Sequence, residues 1–174
     1  RKKTFPFAHP LIGIKNVIKS VLFICLGNIC RSPTAECIFR EKAKLSKLDI
    51  FCDSAGTASW HVGSCPYEPM QVAAKDRGFD MSKLRARQIT IADFEDFDLI
   101  VVMDKKNQSN LQNLCPEQSD KVHLLTDYSL EDLEYDYVPD PYYTRNFNQA
   151  IDIIETSLNG LVETLKNHNN ILKQ

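Results

Sequence analysis

A short apolar run, followed at once by a glycine-containing loop and a helix start, is the feature that most constrains the fold of this chain. Residues 21–24 are Val-Leu-Phe-Ile, and an unbroken apolar run of this length suits a strand buried on both faces, as in a parallel sheet. Ser32 and Pro33 are typical of a helix start, because serine caps the helix and proline is tolerated at the first helical position. The sequence therefore predicts a strand, a loop and a helix in close succession.

Strand-like and helix-like segments continue to alternate along the chain. Further strands are predicted over residues 49–53, 98–103 and 121–125, and further helices over residues 68–77, closed by Gly78, and 90–94. Apolar residues recur at steps of four and three over residues 145–166, which predicts a long amphipathic helix. Because strands separated by helices form right-handed crossovers, we expect one α/β domain with a four-stranded parallel sheet and helices on both faces, in three layers. Ligands bind beyond the carboxyl ends of such strands, which directs attention to the loop after the first strand.

Charge is distributed unevenly, although the net charge is only −2. The first twenty residues contain five basic residues and no acidic one, which leaves a net charge of −7 on the rest of the chain. We predict that residues 1–19 are a basic, loosely ordered extension and that residues 20–174 form the domain. The acidic domain argues against nucleic acid as a partner, and no apolar stretch approaches the roughly 18 residues that cross a bilayer, so no membrane partner is expected.

The cysteines carry no metal-binding pattern. They are Cys25, Cys30, Cys37, Cys52, Cys65 and Cys115. No Cys-x-x-Cys pair and no histidine pair at zinc-finger spacing occurs, so neither a metal nor another cofactor is predicted. Without a signal peptide, the cysteines indicate reduced thiols and a cytoplasmic location.

The loop after the first predicted strand has the composition of an anion site. Residues 25–32 read Cys-Leu-Gly-Asn-Ile-Cys-Arg-Ser, and a loop between a strand and a helix N-terminus can turn its backbone N–H groups inward on a tetrahedral anion. Gly27 and Asn28 tolerate the left-handed backbone angles that a tight loop needs. The planar guanidinium of Arg31 can bind two phosphate oxygens at once. The residues predicted to surround phosphate are Leu26, Gly27, Asn28, Ile29, Cys30, Arg31 and Ser32.

Cys25 is the predicted nucleophile of this loop. The helix N-terminus and Arg31 both favour its thiolate form, which can attack a phosphate ester and form a phosphocysteine intermediate. A carboxyl group is also needed to protonate the leaving group and later to activate water. Composition cannot select it among the 23 acidic residues, although Asp140 is distinctive because it lies between two prolines in a stiff, extended loop.

Several spaced motifs resemble the low-molecular-weight protein tyrosine phosphatases. They are VLFICLGNICRSPTAE at residues 21–36, DSAGT at 53–57, WHVG at 60–63, ARQIT at 86–90, VMD at 102–104 and DPYY at 140–143. The resemblance extends from about Ser20 to near the C-terminus. It implies a four-stranded parallel sheet flanked by helices and the hydrolysis of phosphotyrosine and small aryl phosphates.

The resemblance also implies roles for residues around the loop. Asp140 corresponds to the general acid and base of the family, and Ser32 to the hydroxyl that steadies the nucleophile. Asn28 and Ser54 correspond to residues that stabilise the loop, and Cys30 to the partner of Cys25 in a reversible disulfide.

Flat side chains above the loop would select an aryl phosphate. By resemblance, the pocket walls are Trp60, His61, Tyr142 and Tyr143, with Leu26 and Ile29 near the floor. Asp104 is assigned a supporting role only. The sequence departs from the family at Thr144, where glycine is usual, and we expect this residue to cap the terminal helix and to alter the mobility of the loop that carries Asp140.

Three alternative functions remain open. Phosphoarginine phosphatases resemble this loop but favour threonine at the position of Ile29, and arsenate reductases of the same fold need a close cysteine pair where only Cys115 occurs. A phosphate-binding module without catalysis would lack the nucleophile, the arginine or the acid. The expected partners are phosphotyrosine-containing proteins and inorganic phosphate, as product or inhibitor, and the chain is expected to be a monomer.

Overall fold

Four parallel strands form one sheet in the computed structural model, which describes residue 11 and residues 13–173. They are β1 (Ser20–Cys25), β2 (Phe51–Gly56), β3 (Leu99–Val102) and β4 (Val122–Leu124), in the order β2-β1-β3-β4. Strands β1 and β3 follow unbroken apolar segments, whose β-branched and aromatic residues pack well in a buried sheet, whereas β2 has the sequence FCDSAG and contains only one such residue, Phe51. The predicted four-stranded parallel sheet is confirmed, and it brings the carboxyl ends of β1 and β2 together where Cys25 pairs with Gly56.

Six α-helices connect or follow the strands in the described part of the chain. They are α1 (Arg31–Leu45), α2 (Glu68–Lys75), α3 (Ile91–Asp96), α4 (Lys105–Leu114), α5 (Pro141–Thr144) and α6 (Phe147–Leu172), with 3₁₀ turns at Pro116–Lys121 and Leu125–Tyr128. Sequence reasoning missed α4, because only Asn107 and Leu111 of this polar helix are buried and no apolar period marks it. Its start is nevertheless fixed locally, since Asp104 accepts a hydrogen bond from Asn107 N at 2.8 Å.

The side chains of the sheet alternate between two apolar clusters, one on each face. Val21 and Phe23 of β1 pack in the cluster that contains α1 and α6, whereas Leu22 and Ile24 pack in the cluster that contains residues of α3 and α4. The alternation is that of a strand buried on both faces, and it confirms the predicted three layers.

Helix α6 is longer than the predicted helix over residues 145–166, and it begins differently. Asn146, not Thr144, caps it, because Asn146 Oδ1 accepts a hydrogen bond from Gln149 N at 3.0 Å. The apolar periodicity ends at Leu165, but the helix continues to Leu172. The last turns are held by Asn169, which is buried and exchanges two hydrogen bonds of 2.9 Å with the backbone of Ile18.

The segment before β1 contributes to the core. The expectation of a loosely ordered extension concerns residues 1–19, of which residues 1–10 and 12 lie outside the described part of the chain. Leu11 and Ile18 are buried in the cluster beneath α6, and His168 Nε2 lies 2.9 Å from Asn16 O. Packing on this face therefore begins before Ser20. No helix among the described residues is long and apolar enough to cross a membrane.

Candidate active site

The loop between β1 and α1 lies at the carboxyl edge of the sheet, as predicted. Of the two residues expected to adopt left-handed angles only Asn28 does so, with φ 56°. Gly27 instead provides room, because a Cβ at this position would lie 3.0 Å from His61 Cδ2. Sequence reasoning missed Gly56, where a Cβ would lie 2.7 Å from Leu26 O. Its missing side chain lets the end of β2 pack directly against the loop.

Cys25 ends β1 with its sulfur turned into the loop. Its Sγ atom lies 3.0 Å from Ser32 Oγ and accepts a hydrogen bond from Asn28 N at 3.3 Å. Helix α1 begins at Arg31, so Ser32 lies in the first turn of the helix and is not its cap. The hydroxyl predicted as a helix cap is therefore used by the cysteine instead.

The side chain of Asn28 ties the loop to the protein behind it. Its Nδ2 atom donates to Ser32 Oγ at 2.8 Å and to Ser54 Oγ at 3.0 Å, and its Oδ1 atom accepts from Arg87 N at 3.0 Å. Ser54 Oγ in turn donates to Glu36 Oε1 at 2.6 Å. Arg87 and Glu36 were not identified from the sequence, although both lie within the motifs that carry the resemblance.

Arg31 is buried and held by two carboxylates. Its side chain donates to Asp104 Oδ2 at 2.7 Å, to Val138 O at 3.0 Å and to Asp140 Oδ2 at 3.3 Å. Burial alone would lower the pKa of Arg31, but the negative charges of Cys25, Asp140 and Asp104 raise it on balance. The guanidinium therefore stays charged, and its contact with Asp104 fixes its direction.

Asp140 occupies the start of a single helical turn. Its Oδ1 atom caps α5 by accepting from Tyr142 N at 3.1 Å, and its Oδ2 atom faces Arg31. Pro141 follows it at the first helical position, which favours this abrupt turn. The carboxylate is thereby aimed at the loop from the opposite side.

A cavity of about 260 Å³ lies between these two loops. It is lined by Cys25, Leu26, Gly27, Ile29, Cys30, Arg31, Trp60, His61, Asp140, Tyr142 and Tyr143. Trp60 and Tyr143 are 69% and 68% exposed and stand at the mouth. Asn28, Ser32 and Ser54 do not line the cavity and lie behind its floor.

Tyr67 belongs to the surroundings of this cavity although no sequence signal pointed to it. Its ring lies 5.2 Å from the ring of Tyr142, and its backbone N donates to Ile29 O at 2.8 Å. It therefore supports one wall and touches the loop backbone as well.

Two free thiols line the cavity, those of Cys25 and Cys30. Burial raises the pKa of the Cys30 thiol far above its usual range, and the nearby charges of Cys25 and Asp140 add to this effect. Cys115 instead lies in the apolar cluster with residues of α3 and α4 and does not line the cavity.

Comparisons with known proteins point to one family. The family model described as low molecular weight phosphotyrosine protein phosphatase matches residues 20–171. The low molecular weight protein-tyrosine-phosphatase YfkJ of Bacillus subtilis is 41% identical over 150 residues, which are 84% of this chain and 96% of the relative. The crystal structure of YfkJ superimposes with a TM-score of 0.82 at 39% identity, over 88% of this chain and 98% of that one. A protein tyrosine phosphatase from Entamoeba histolytica superimposes with a TM-score of 0.81 at 36% identity, over 86% and 97% of the two chains.

Proposed function

The chain belongs to the low molecular weight phosphotyrosine protein phosphatase family and is therefore a protein tyrosine phosphatase, and we propose that it hydrolyses phosphotyrosine through a phosphocysteine intermediate on Cys25. The observation that carries the proposal is the position of the Cys25 sulfur, on the floor of the cavity beside Ser32 Oγ and the buried Arg31. A hydroxyl and a backbone N–H lie within hydrogen-bond distance of this sulfur, and the nearby cation can stabilise the negative charge that develops during the reaction.

The backbone N–H groups of the loop and the guanidinium of Arg31 bind the phosphate. The Nε atom of Arg31 has no hydrogen-bond partner among the described residues, and Nη2 makes only the 3.3 Å contact with Asp140. These two nitrogens can bind two phosphate oxygens side by side, while Asp104 and Val138 hold the guanidinium through Nη1. The charge of the transition state is then stabilised by groups that are already oriented.

Asp140 serves both chemical steps. In the first step the sulfur attacks phosphorus, the bond from phosphorus to the tyrosyl oxygen breaks, and the protonated Asp140 gives its proton to that oxygen. In the second step the Asp140 carboxylate takes a proton from water, the oxygen of that water attacks phosphorus, and the sulfur–phosphorus bond breaks. Inorganic phosphate leaves and the Cys25 thiolate is restored.

The walls favour an aryl group. Trp60, His61, Tyr142 and Tyr143 surround the cavity with flat side chains, which a phosphotyrosine ring would contact and the shorter phosphoserine would not. Ile29 presents an apolar surface in the same cavity, where a hydroxyl would be needed to pair with a guanidinium substrate. Phosphotyrosine is thus favoured over phosphoarginine.

Turnover and trapping of the intermediate test this proposal. The wild type should hydrolyse p-nitrophenyl phosphate and a phosphotyrosine peptide, and acid-quenched enzyme should carry phosphate on Cys25 by mass spectrometry. Cys25→Ser should lose turnover and the label, while Cys65→Ser, which changes an exposed cysteine, should keep both. Equal activity in Cys25→Ser, or faster turnover of phosphoarginine or arsenate than of phosphotyrosine, would reject the mechanism or the substrate.

We also propose that Cys30 protects the nucleophile from oxidation. Peroxide converts the Cys25 thiolate to a sulfenic acid, the Cys30 sulfur attacks that sulfur, and a disulfide forms with release of water. Because the raised pKa of Cys30 keeps it protonated near neutral pH, disulfide formation should become faster as the pH rises. After peroxide treatment long enough to oxidise an unprotected Cys25 to the sulfinic acid, wild type should recover with a dithiol, whereas Cys30→Ser should not. Equal recovery of the two proteins would contradict this role.

A further inference from the structure

Arg145 holds a backbone conformation that its residue type disfavours. It follows α5 with φ 64°, in the left-handed region where a Cβ meets the neighbouring carbonyl oxygen. Such a conformation persists where other contacts of the same residue compensate for it. The side chain of Arg145 provides these contacts.

The guanidinium of Arg145 lies over two aromatic rings at once. Its central carbon is 5.3 Å from the ring centroid of Tyr67 and 5.2 Å from that of Phe147. Its Nη1 atom also donates to Tyr67 Oη at 2.9 Å and to Tyr142 O at 3.4 Å. A planar cation suits this place, because it stacks on rings and donates in its own plane.

Through Tyr67 these contacts reach both sides of the cavity. The Tyr67 ring packs 5.2 Å from the ring of Tyr142, one of the walls, and Tyr67 N donates to Ile29 O of the phosphate loop. Among the described residues, Arg145 and Tyr67 thus join the loop that carries Asp140 to the loop that carries Cys25. Tyr142 itself is 41% exposed, and its other ring contacts are with Tyr143, at 5.3 Å, and His61, at 6.4 Å.

We propose that Arg145 is a positioning residue of the reaction, which acts through Tyr67 to hold the Tyr142 wall, and with it the aryl group of the substrate, over the phosphate loop. The inference rests on the proposed phosphatase function and adds to it a residue that touches neither the phosphate nor the reacting atoms. Its effect should concern binding of the ring and not binding of phosphate.

Two binding readouts separate this role from a structural one. Arg145→Ala should raise KM for p-nitrophenyl phosphate about 3–10-fold, with kcat within about 3-fold of wild type. The inhibition constant of inorganic phosphate, which has no ring, should rise by no more than about 2-fold, since Arg145→Ala removes one nearby positive charge but none of the donors of the phosphate loop. Arg145→Lys keeps the cation but not the planar fork and should recover part of the loss. Arg145→Gly relieves the backbone strain and should still show the raised KM.

A double-mutant cycle tests whether Arg145 acts through Tyr142. Tyr142→Ala should raise KM by itself, and adding Arg145→Ala should raise it no further. Melting temperatures show whether each variant is folded. If Arg145→Ala is not folded, Tyr67→Phe replaces it in the test, because it removes only the hydroxyl that Arg145 contacts. Tyr67→Phe should raise KM about 2-fold. An unchanged KM, a parallel rise in the phosphate inhibition constant, or independent effects in the cycle would overturn the proposal. Wild type that fails to hydrolyse aryl phosphates would instead reject the function itself.

Discussion

The two loops that face each other across the cavity are held in different ways. In the phosphate loop, residues 25–32, the residues Asn28, Arg31 and Ser32 are all at most 2% exposed, and their side chains make hydrogen bonds. In the acid loop, residues 139–145, Tyr142 is 41% and Tyr143 68% exposed. Buried, hydrogen-bonded groups keep one geometry, whereas exposed segments open at little free-energy cost.

The difference matches the two tasks of a phosphatase. Phosphate has one size and charge, so a rigid set of donors recognises it best. The leaving group must enter, receive a proton and depart, which favours a segment that can move. Arg31 is the residue common to both, since it contacts Asp104 and Val138 on the fixed side and Asp140 on the other.

Asp140→Asn should give the largest effect, because it removes the proton that the acid loop donates to the leaving group. The rate of the first phosphoryl transfer to Cys25 from a phosphotyrosine peptide should fall about 10²–10⁴-fold, because the tyrosyl oxygen leaves without a proton. The loss should be smaller for p-nitrophenyl phosphate, whose leaving group is a stable anion. Burst kinetics measure this first step separately from breakdown of the intermediate.

Asp104→Asn is the matched control on the fixed side of Arg31. It weakens the 2.7 Å ion pair without removing a proton donor. The rate of the first phosphoryl transfer should therefore fall by the same factor, about 10-fold, for both substrates. A loss in Asp140→Asn that is equal for the two substrates would mean that Asp140 only orients Arg31.

Gly56→Ala should distort the backbone of the phosphate loop and leave the acid loop unchanged. The added Cβ would lie 2.7 Å from Leu26 O and 3.1 Å from Asn28 N, so the loop backbone must move. We expect the inhibition constant of inorganic phosphate to rise at least about 10-fold, because amides that bind phosphate are displaced. The free energy of unfolding should fall by about 1–3 kcal/mol.

Gly13→Ala offers the control for this substitution, since no heavy atom of the described residues, its chain neighbours apart, lies within 4 Å of the added Cβ. Its stability should change by less than about 0.5 kcal/mol and its phosphate affinity not at all. If Gly56→Ala bound phosphate as tightly as wild type, the loop would be more adaptable than its hydrogen bonds indicate.

The contrast between the loops also explains what could be predicted from the sequence. The phosphate loop could be predicted because its residues are consecutive and its chemistry follows from their types. The supports of that loop could not, because they come from far along the chain: Arg87 N bonds to Asn28 across 59 positions and Val138 O to Arg31 across 107. Only the fold brings such pairs together.

The acid loop was harder to predict for a local reason. Proline on both sides of Asp140 indicated a stiff, extended loop, but no periodicity or residue type indicates that Arg145 adopts φ 64° or that Tyr67 supports Tyr142. The strands were predicted within a few residues, most clearly β1 and β3, because apolar runs mark buried strands, whereas polar α4 gave no such signal.

Thr144→Gly should have the smallest effect, and it measures how much the stiffness of the acid loop matters. The sequence departs from the usual glycine here, but the left-handed residue is Arg145, so a glycine at Thr144 meets no conformational need. Thr144 is exposed, and its hydroxyl only accepts a hydrogen bond from Asn146 N at 3.1 Å. The substitution should lower the free energy of unfolding by about 0.5–1 kcal/mol and kcat/KM by about 2–3-fold, because the added backbone freedom loosens the turn.

Thr144→Ala is the control for this change. It removes the hydroxyl but adds little backbone freedom, so it should change kcat/KM by less than about 2-fold. Opening of an exposed loop can limit product release. A several-fold rise of kcat in Thr144→Gly would therefore show that the acid loop is held firmly in the wild type, and would contradict the view that it opens at little free-energy cost.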